Sequence, residues 1–468
     1  MTLPSRLSLL SLCVLLGACA NSTPDAAPPA APEHWQGQHD PATSIADGPW
    51  WQAFASAQLN DLIEQARSNS FDLAAAVARI RQAQASAVIA GAPLLPEVKF
   101  GLNASRERLL RGSGYNGIDA TRSDRTYTTF STGLNASYEI DFWGGNAAAR
   151  DSALRSLDAS RFDRQTVELT LFSGVASSYL QSLALVEQVR IARLNLSNAR
   201  DVLQVVQTRH DAGSATALEL AQQRSLVAAQ ERQVPLLEQQ LQDTRITLAT
   251  LLGEPVQALP QTREDFTAIN WPRIGTGVPS DLLSRRPDIA AAEARLAAAQ
   301  ANVHVARAAM LPSLTLGANL ASGSQVFDRL LRSPYYNLTA GLAAPIFDSG
   351  RLKAERDRAR AEQEELLQRY HASIVSGFGD VEKALNSIGG VDRQRQWQDE
   401  EVRQARTAFE LAERRYRAGA ETLLTVLETQ RTLYQAQDQQ VQLRLARVQG
   451  SVALYKALGG GWHVTEVR

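Results

Sequence analysis

The feature that most constrains the fold is a strict alternation of two series of residues in four separate segments. In the clearest segment one series is mostly apolar and the other is small or polar: Phe130, Thr132, Leu134, Ala136, Tyr138, Ile140 and Phe142 against Ser131, Gly133, Asn135, Ser137, Glu139 and Asp141. The pattern recurs at 98–105, 314–320 and 336–342. Because successive side chains of a strand point to opposite faces, each segment is predicted to be a strand with one lipid-compatible face.

Four such strands require an oligomer if they lie in a membrane. An open sheet edge in hydrocarbon leaves backbone amides unpaired, so membrane strands close into barrels, and known barrels begin at about eight strands. Two copies of the chain would supply about eight strands and three copies about twelve. The water-facing series is rich in Gly, Ser, Asn and Thr, which suits an aqueous lumen, so we expect a homotrimer. A soluble amphipathic sheet is the alternative.

A tandem duplication explains why the strands come as two pairs. Residues 71–96 match 287–312 without a gap at 13 of 26 positions, and 198–253 align with 404–459 at a shift of 206. The duplicated unit is about 200 residues long, and each copy supplies one strand pair. The expected organisation is a first repeat at 49–260, a linker at 261–286, a second repeat at 287–460 and a C-terminal tail at 461–468.

Long amphipathic helices are predicted after each strand pair. Within 146–212 the apolar residues are spaced three and four apart in alternation, as in a coiled coil, and such a helix would extend about 100 Å. The expected strands lie at about 97–109, 127–142, 312–321 and 335–346, and the expected long helices at about 146–212, 214–252, 350–418 and 421–458. The predicted fold class is mainly α with a transmembrane β-barrel, as the tandem-duplicated protomer of a trimeric α/β-barrel duct.

The first residues predict export and lipidation. Arg6 is followed by an apolar run at 7–16 that is shorter than the roughly 20 residues a membrane-spanning helix needs. The run ends in Leu-Gly-Ala-Cys, which fits a lipobox, so residues 1–18 are predicted to be a lipoprotein signal peptide. Cys19 would then carry the N-acyl and S-diacylglycerol groups, and Ala20 favours outer-membrane sorting. An ordinary signal peptide cut after Ala18 is the alternative.

The rest of the composition excludes several classes of function. Residues 19–48 contain five prolines and are predicted to be an extended tether behind the lipid. A net charge of −1 argues against nucleic acid as a partner, and the mean hydropathy of −0.22 excludes a helical-bundle membrane protein. The six histidines show no metal-ligand spacing, and phosphate-loop and nucleophile motifs are missing from the sequence. We therefore expect neither an enzyme nor a cofactor.

Three motifs resemble the outer-membrane efflux proteins of the TolC and OprM type, in particular their NodT-like lipoprotein branch. They are Pro49-Trp50-Trp51 with Phe54, Tyr138-Glu139-Ile140-Asp141, and the stretch from Ser280 to Glu293 that reads SDLLSRRPDIAAAE. The resemblance covers nearly the whole mature chain. It implies a trimer with a twelve-strand barrel in outer-membrane lipid and a helical barrel through the periplasm.

The same resemblance implies the partners and the function. These are a periplasmic adaptor, also called a membrane fusion protein, and an inner-membrane pump, expected to be of the resistance-nodulation-division type. The chain would be the passive duct of a tripartite efflux system that exports small molecules, with drugs and other toxic compounds favoured and antibiotic resistance as the phenotype. An exit duct for type I protein secretion and a non-conducting coiled-coil lipoprotein of the cell envelope remain alternatives.

The helix turns hold the candidate site residues. The resemblance assigns adaptor contact to the two tips, which comprise Arg209, Asp211, Gly213, Arg415, Arg417 and Gly419. It also assigns a periplasmic gate to Tyr416, Glu421 and Glu428. Only the second copy has these carboxylates, since the first copy has Ala215 and Gln222 there. Threefold symmetry would turn each glutamate into a ring that favours cations, whereas the simpler alternative is a solvated carboxylate stabilised by the helix dipole.

Overall fold

The computed structural model describes residues 28–37, 48–108, 126–262, 264–272 and 274–462. The proposed signal peptide, Cys19 and most of the C-terminal tail lie outside the described residues. The four strands are β1 (Glu97–Arg108), β2 (Thr126–Ile140), β3 (Ser313–Ser324) and β4 (Pro334–Ala343). They form one antiparallel sheet in the order β1-β2-β3-β4.

The sheet register aligns the two series of residues across all four strands. Lys99 pairs with Asn135, Asn135 with Asn319, and Asn319 with Asn337, which makes one polar row. The row beside it contains Phe100, Leu134, Leu320 and Tyr336, all of them exposed. Because large apolar side chains are rarely left in water as a contiguous face, this face of the sheet is suited to lipid.

The helices fall into pairs related by the duplication. Their bounds are α1 (Ala57–Asn69), α2 (Phe71–Gly91), α3 (Gly145–Asp211), α4 (Ala217–Leu252), α5 (Leu282–Arg285), α6 (Pro287–Ala308), α7 (Arg351–Arg417) and α8 (Leu423–Ala457). The helices α3 and α7 each have 67 residues and align without a gap. Each is preceded by a glycine in the left-handed conformation, Gly144 and Gly350.

Aspartates fix the start of both long helices. The Asp141 carboxylate accepts hydrogen bonds from the backbone N–H of Asn146 (3.0 Å) and Ala147 (2.8 Å). The Asp348 carboxylate accepts from Gly350 (3.0 Å) and Leu352 (2.8 Å). An anion at a helix N-terminus satisfies free N–H groups and complements the helix dipole, so the same device turns the chain from sheet to helix in both repeats.

The helices form a layer in which α3 packs against α4 and α8, and α8 packs against α7. Nearer the sheet, α2 packs on α3, and α6 lies between α3 and α7. An 18-residue window of α3 is apolar enough for a membrane span, but 61% of it is buried inside the protein. The apolar residues of α3 are therefore used in helix packing.

The main core lies halfway along this layer. Trp50, Phe54 and Ile63 pack there against α3, where Tyr179 is 1% exposed, and against α8. Part of the segment predicted to be a linker joins the same core, since Phe266 is buried and Arg444 of α8 donates to its carbonyl oxygen (3.2 Å). In this region the linker therefore packs across the helices.

The segment expected to be only a tether is in part a docked element. In residues 28–37, here called the N-terminal strap, Trp35 is 3% exposed and its Nε1 donates to the Gly277 carbonyl (3.1 Å). Two backbone N–H groups, of Gln36 and Gly37, donate to the Glu382 carboxylate of α7 (2.7 and 3.1 Å). The prolines around Trp35 obscured this contact, which joins residues more than 240 positions apart.

Candidate functional site at the helical tips

Both helix turns use the same glycine geometry. Gly213 has φ +75° and Gly419 has φ +76°, which an L side chain rarely adopts. The backbone N–H of Gly213 donates to the His210 carbonyl (2.9 Å), and that of Gly419 donates to the Tyr416 carbonyl (2.9 Å). The two tips therefore end their helices in the same way and differ in their side chains.

Arg209 joins the two tips. Its Nη1 donates to the backbone carbonyl of Tyr416 (2.8 Å), and its guanidinium lies over the Tyr416 ring, 4.6 Å from the centroid. Tyr416 is 3% exposed, and burial raises the pKa of its hydroxyl. Its side chain is thus covered within the protomer. The structure assigns Arg209 and Tyr416 to one contact between the repeats.

The remaining tip residues are exposed. Asp211 accepts from Gln207 Nε2 (2.9 Å), and Arg417 donates to Glu413 of its own helix (2.6 Å). Arg415 is 63% exposed at its side chain and lies 3.6 Å from Glu421. These three side chains belong to the outer surface of the tips, where a partner could contact them.

Glu421 is held by the start of α8. It lies before the helix, whose N-cap is Thr422, so the helix begins two residues later than the expected position 421. Its carboxylate accepts from the Thr422 backbone N–H (3.1 Å) and the Thr425 hydroxyl (3.2 Å). These hydrogen bonds, followed by the charge of Arg415, lower the pKa of Glu421.

Glu428 is exposed and lies on α8 about two turns beyond Glu421. The equivalent start of α4 is different, because Thr216 and Glu219 form a reciprocal capping box there. In α4 the glutamate is therefore used to cap its own helix. In α8 the position of Glu219 is taken by Thr425, and the carboxylates stand at other positions.

Two exposed leucines at the tips were not predicted from the sequence as site residues. Leu218 is 67% exposed and Leu424 is 54% exposed, and they occupy equivalent positions in the two repeats. The available signal was an apolar residue repeated next to each turn at a shift of 206. Within the described residues, no cluster of three or more His, Cys, Asp or Glu side chains could hold a metal ion.

Comparison with known proteins identifies the family. The family model "Outer membrane efflux protein" matches residues 62–254 and 278–460. The pyoverdine export outer membrane protein OpmQ of Pseudomonas putida is 66% identical over 463 residues, covering 99% of this chain and 98% of that protein. OpmQ of Pseudomonas aeruginosa is 62% identical, covering 98% of this chain and 97% of that protein.

Solved structures agree with this result. The outer-membrane channel OprN is 26% identical and superposes with a TM-score of 0.85, covering 93% of this chain and 99% of that one. The TolC/OprM resemblance and the fold class expected from the sequence, a protomer of an α/β-barrel duct in the outer membrane, are confirmed. The chain belongs to the outer membrane efflux protein family.

Proposed function

We propose that this outer-membrane efflux channel component is the trimeric exit duct of a tripartite system that exports pyoverdine. The observation that carries the cargo assignment is the 66% and 62% identity to two OpmQ proteins over nearly their full lengths. Drugs and other toxic compounds were favoured from the sequence alone. A more distant relative, the toluene efflux pump protein TtgF of Pseudomonas putida, is 33% identical over 91% of this chain, so the closer likeness favours pyoverdine.

The structure of one protomer supports the trimer. In the described sheet β1 and β4 are edge strands, and in the helix layer α4 and α7 are the outer members. Both layers of the protomer therefore end in unpaired elements. Strand edges cannot stay open in lipid, and about twelve strands suit a water-filled lumen. Three protomers would close the sheet and the helix layer together, so that neither layer keeps an open edge.

The partners and the anchor follow from the same assignment. The exposed tip residues Asp211, Arg415 and Arg417 would meet a periplasmic adaptor, which connects the duct to an inner-membrane pump of the resistance-nodulation-division type. Cys19 would carry the lipid. Glu421 and Glu428 would form the carboxylate rings of the periplasmic gate, and Tyr416 would act indirectly by positioning Arg209 between the hairpins.

Deletion of the gene and complementation test the cargo. Pyoverdine is quantified separately in the medium and in the periplasm of the wild type, the deletion strain and the complemented strain. We expect accumulation in the periplasm and a fall in the medium upon deletion, both reversed by the wild-type gene. Unchanged pyoverdine in the medium, together with increased sensitivity to antibiotics, would instead establish drug efflux as the main activity.

The two rival functions give different results in the same strains. A type I secretion duct would lose a secreted polypeptide from the medium while pyoverdine stays constant. A structural coiled-coil lipoprotein would show neither channel conductance in planar bilayers nor migration on detergent gels that changes with heating. The four antiparallel strands, which a periplasmic spacer does not need, argue against the structural alternative.

A further inference from the structure

A groove of about 580 Å³ lies between α3, α7 and α8, close to the start of α6. Its floor is made of small residues of α8, namely Ala446, Gly450 and Ala453. Hydroxyl and amide groups of Thr166, Thr170, Ser387 and Gln449 line its sides. We call this the second-repeat groove. It offers an apolar floor within a polar rim, which is a common form of small-molecule site.

The charges of the groove are not balanced. Arg286 donates to Asp380 (3.0 Å) and to Asp288 (2.7 Å), so these three side chains form one internal network. Lys383 and Lys456 also line the groove, both are exposed, and neither has an ion-pair partner within the described part of the chain. With three cations and two carboxylates, the groove carries a net positive charge.

The duplication supplies an internal control for this groove. At the shift of 206, Lys383 and Lys456 correspond to Ser177 and Thr250. The floor is also filled in the first repeat, where Ala446, Gly450, Ala453 and Ala457 are replaced by Gln240, Thr244, Thr247 and Leu251. Leu251 there comes within 3.5 Å of the position that a Cβ of Gly174 would take. Packing of the shared fold therefore requires neither the open floor nor the lysines.

The lysines and the small floor residues of the groove lie largely on the side of the helix layer away from the N-terminal strap and the main core, although Ala384 and Ala457 also belong to the cluster around Trp35. On α7 the N-terminal strap contacts Phe378 and Glu382. Around this helix Lys383 lies about 140° from Phe378 and about 100° from Glu382, and Ser387 lies about 180° from Phe378. On α8 the core beneath Trp50 uses Val448 and Tyr455, opposite to the floor residues. A duct must keep its interior open, so the bulky strap and core belong outside and the groove faces the lumen.

We propose that the second-repeat groove is a luminal binding site for an amphipathic anion in transit, a solute with an apolar body and a carboxylate or sulfonate group. This inference rests on the proposed function of the chain as a duct. The two ammonium groups attract the anion, the polar rim exchanges hydrogen bonds with it, and the small floor admits its apolar part. Threefold symmetry gives three such sites at one level of the tube.

Two dyes with the same tricyclic frame and opposite charge test the site. The full-length protein in detergent is titrated against carboxyfluorescein, which is anionic, and rhodamine 123, which is cationic, with fluorescence polarisation as the readout. We expect carboxyfluorescein to bind. K383Q/K456Q should weaken its binding about tenfold, because the double variant loses one or two charge-assisted hydrogen bonds. The control K353Q, an exposed lysine of α7 outside the groove, leaves binding unchanged. Equal affinity of K383Q/K456Q and wild type would overturn the proposal.

A steric variant separates the shape of the groove from its charge. A453T places in the second repeat the threonine that the first repeat has at Thr247, and it should weaken carboxyfluorescein binding without changing any charge. The reverse exchange, T247A, should leave binding as in the wild type. If A453T bound the dye normally, the floor would not contact the solute and the site would be wrong.

Thiol labelling tests the luminal placement. A polymer-linked maleimide applied to permeabilised cells should label D61C in the exposed part of α1 but not A453C, whereas a small maleimide should label both. Polymer labelling of A453C would place the groove outside the duct. The groove lies within one protomer, so dye binding without conductance would reject the duct alone, and conductance without dye binding would reject the groove alone.

Discussion

At the scale of single residues, the gate candidates differ in how firmly they are held. Glu421 accepts two hydrogen bonds and lies near Arg415, so its carboxylate is fixed at the start of α8. Glu428 projects from the next turns of the same helix and is exposed. Neither carboxylate has a counterpart in the first repeat. The negative charge of the periplasmic mouth would therefore come from the start of α8 alone.

Removing both carboxylates should open the mouth to ions and small solutes. We expect E421A/E428A to raise single-channel conductance and to reduce cation selectivity, because three copies of each charge would leave the mouth of the proposed gate. Planar-bilayer recording measures both quantities. Q222A, at the first-repeat position equivalent to Glu428, is the matched control. Conductance of E421A/E428A equal to that of Q222A would remove the gate assignment.

The pH dependence of this selectivity has a defined sign. Hydrogen bonds from Thr422 and Thr425 lower the pKa of Glu421, so its carboxylate stays charged at pH values where an ordinary glutamate begins to protonate. The part of the cation selectivity that Glu421 supplies, measured as a reversal potential, should therefore persist through the usual glutamate range and fall only below it. In T425V the loss should begin at a higher pH, since one stabilising hydrogen bond is gone. An identical pH profile for T425V would contradict this account.

Arg209 should contribute to the stability of the paired tips. R209A removes a charged hydrogen bond to the Tyr416 carbonyl and a cation–π contact with a buried ring, together about 2 kcal/mol. We expect faster proteolysis at the tips and earlier thermal unfolding. R417A is the control, because it breaks only a helix-surface pair with Glu413, a contact of about 0.4 kcal/mol. Equal effects of the two changes would mean that Arg209 does not hold the repeats together.

At the scale of elements, the alternation in the strands was the most informative part of the sequence. It located all four strands, although β3 extends three residues beyond the expected end at 321. The extension occurs because Ser322 pairs with Pro334 and donates its hydroxyl to the Leu330 carbonyl. The expected strand at 127–142 ends earlier, at Ile140, because Phe142 already turns back toward the Ile140 carbonyl. These ends depend on contacts with other segments, which a single strand pattern does not contain.

Two neighbouring residues of β4 test which face meets lipid. Leu338 belongs to the apolar series and Asn337 to the polar row. L338R should cost about 2–4 kcal/mol in the membrane and reduce the amount of assembled barrel, whereas N337R should be tolerated. Heat-dependent migration of the membrane fraction on detergent gels measures assembly. The reverse ranking would exchange the two faces of the sheet.

The N-terminal strap gives a second test at this scale. W35A removes a buried indole that packs on Phe378 and donates to the Gly277 carbonyl, a loss in the range of about 3–5 kcal/mol. This loss of free energy exceeds what the remaining contacts of the strap contribute. The segment should therefore detach and become sensitive to protease while α7 and α8 stay folded. H34A, one residue before the buried indole, is the control. Resistance of W35A to protease would show that the Glu382 contacts alone hold the strap.

At the scale of the whole molecule, the sequence predicted the four strands and the four long helices but not how the two repeats meet. Residue spacing predicted both the long helices, which have 67 residues each in the structure, and the need to close the sheet. The contact of Arg209 with Tyr416 spans 207 residues, and the docking of Trp35 spans 242. Local periodicity carries no information on contacts between segments so far apart, and for this reason neither contact was predicted.

The equal length of α3 and α7 has a consequence for assembly. Both helices leave the sheet through the same glycine and aspartate arrangement and run for the same number of residues, so their turns end level with each other. Three protomers would then present a flat rim of six nearly equivalent loops. A partner ring of either three or six subunits could seat on such a rim without a symmetry mismatch, and the side chains that differ between the loops would decide between the two stoichiometries.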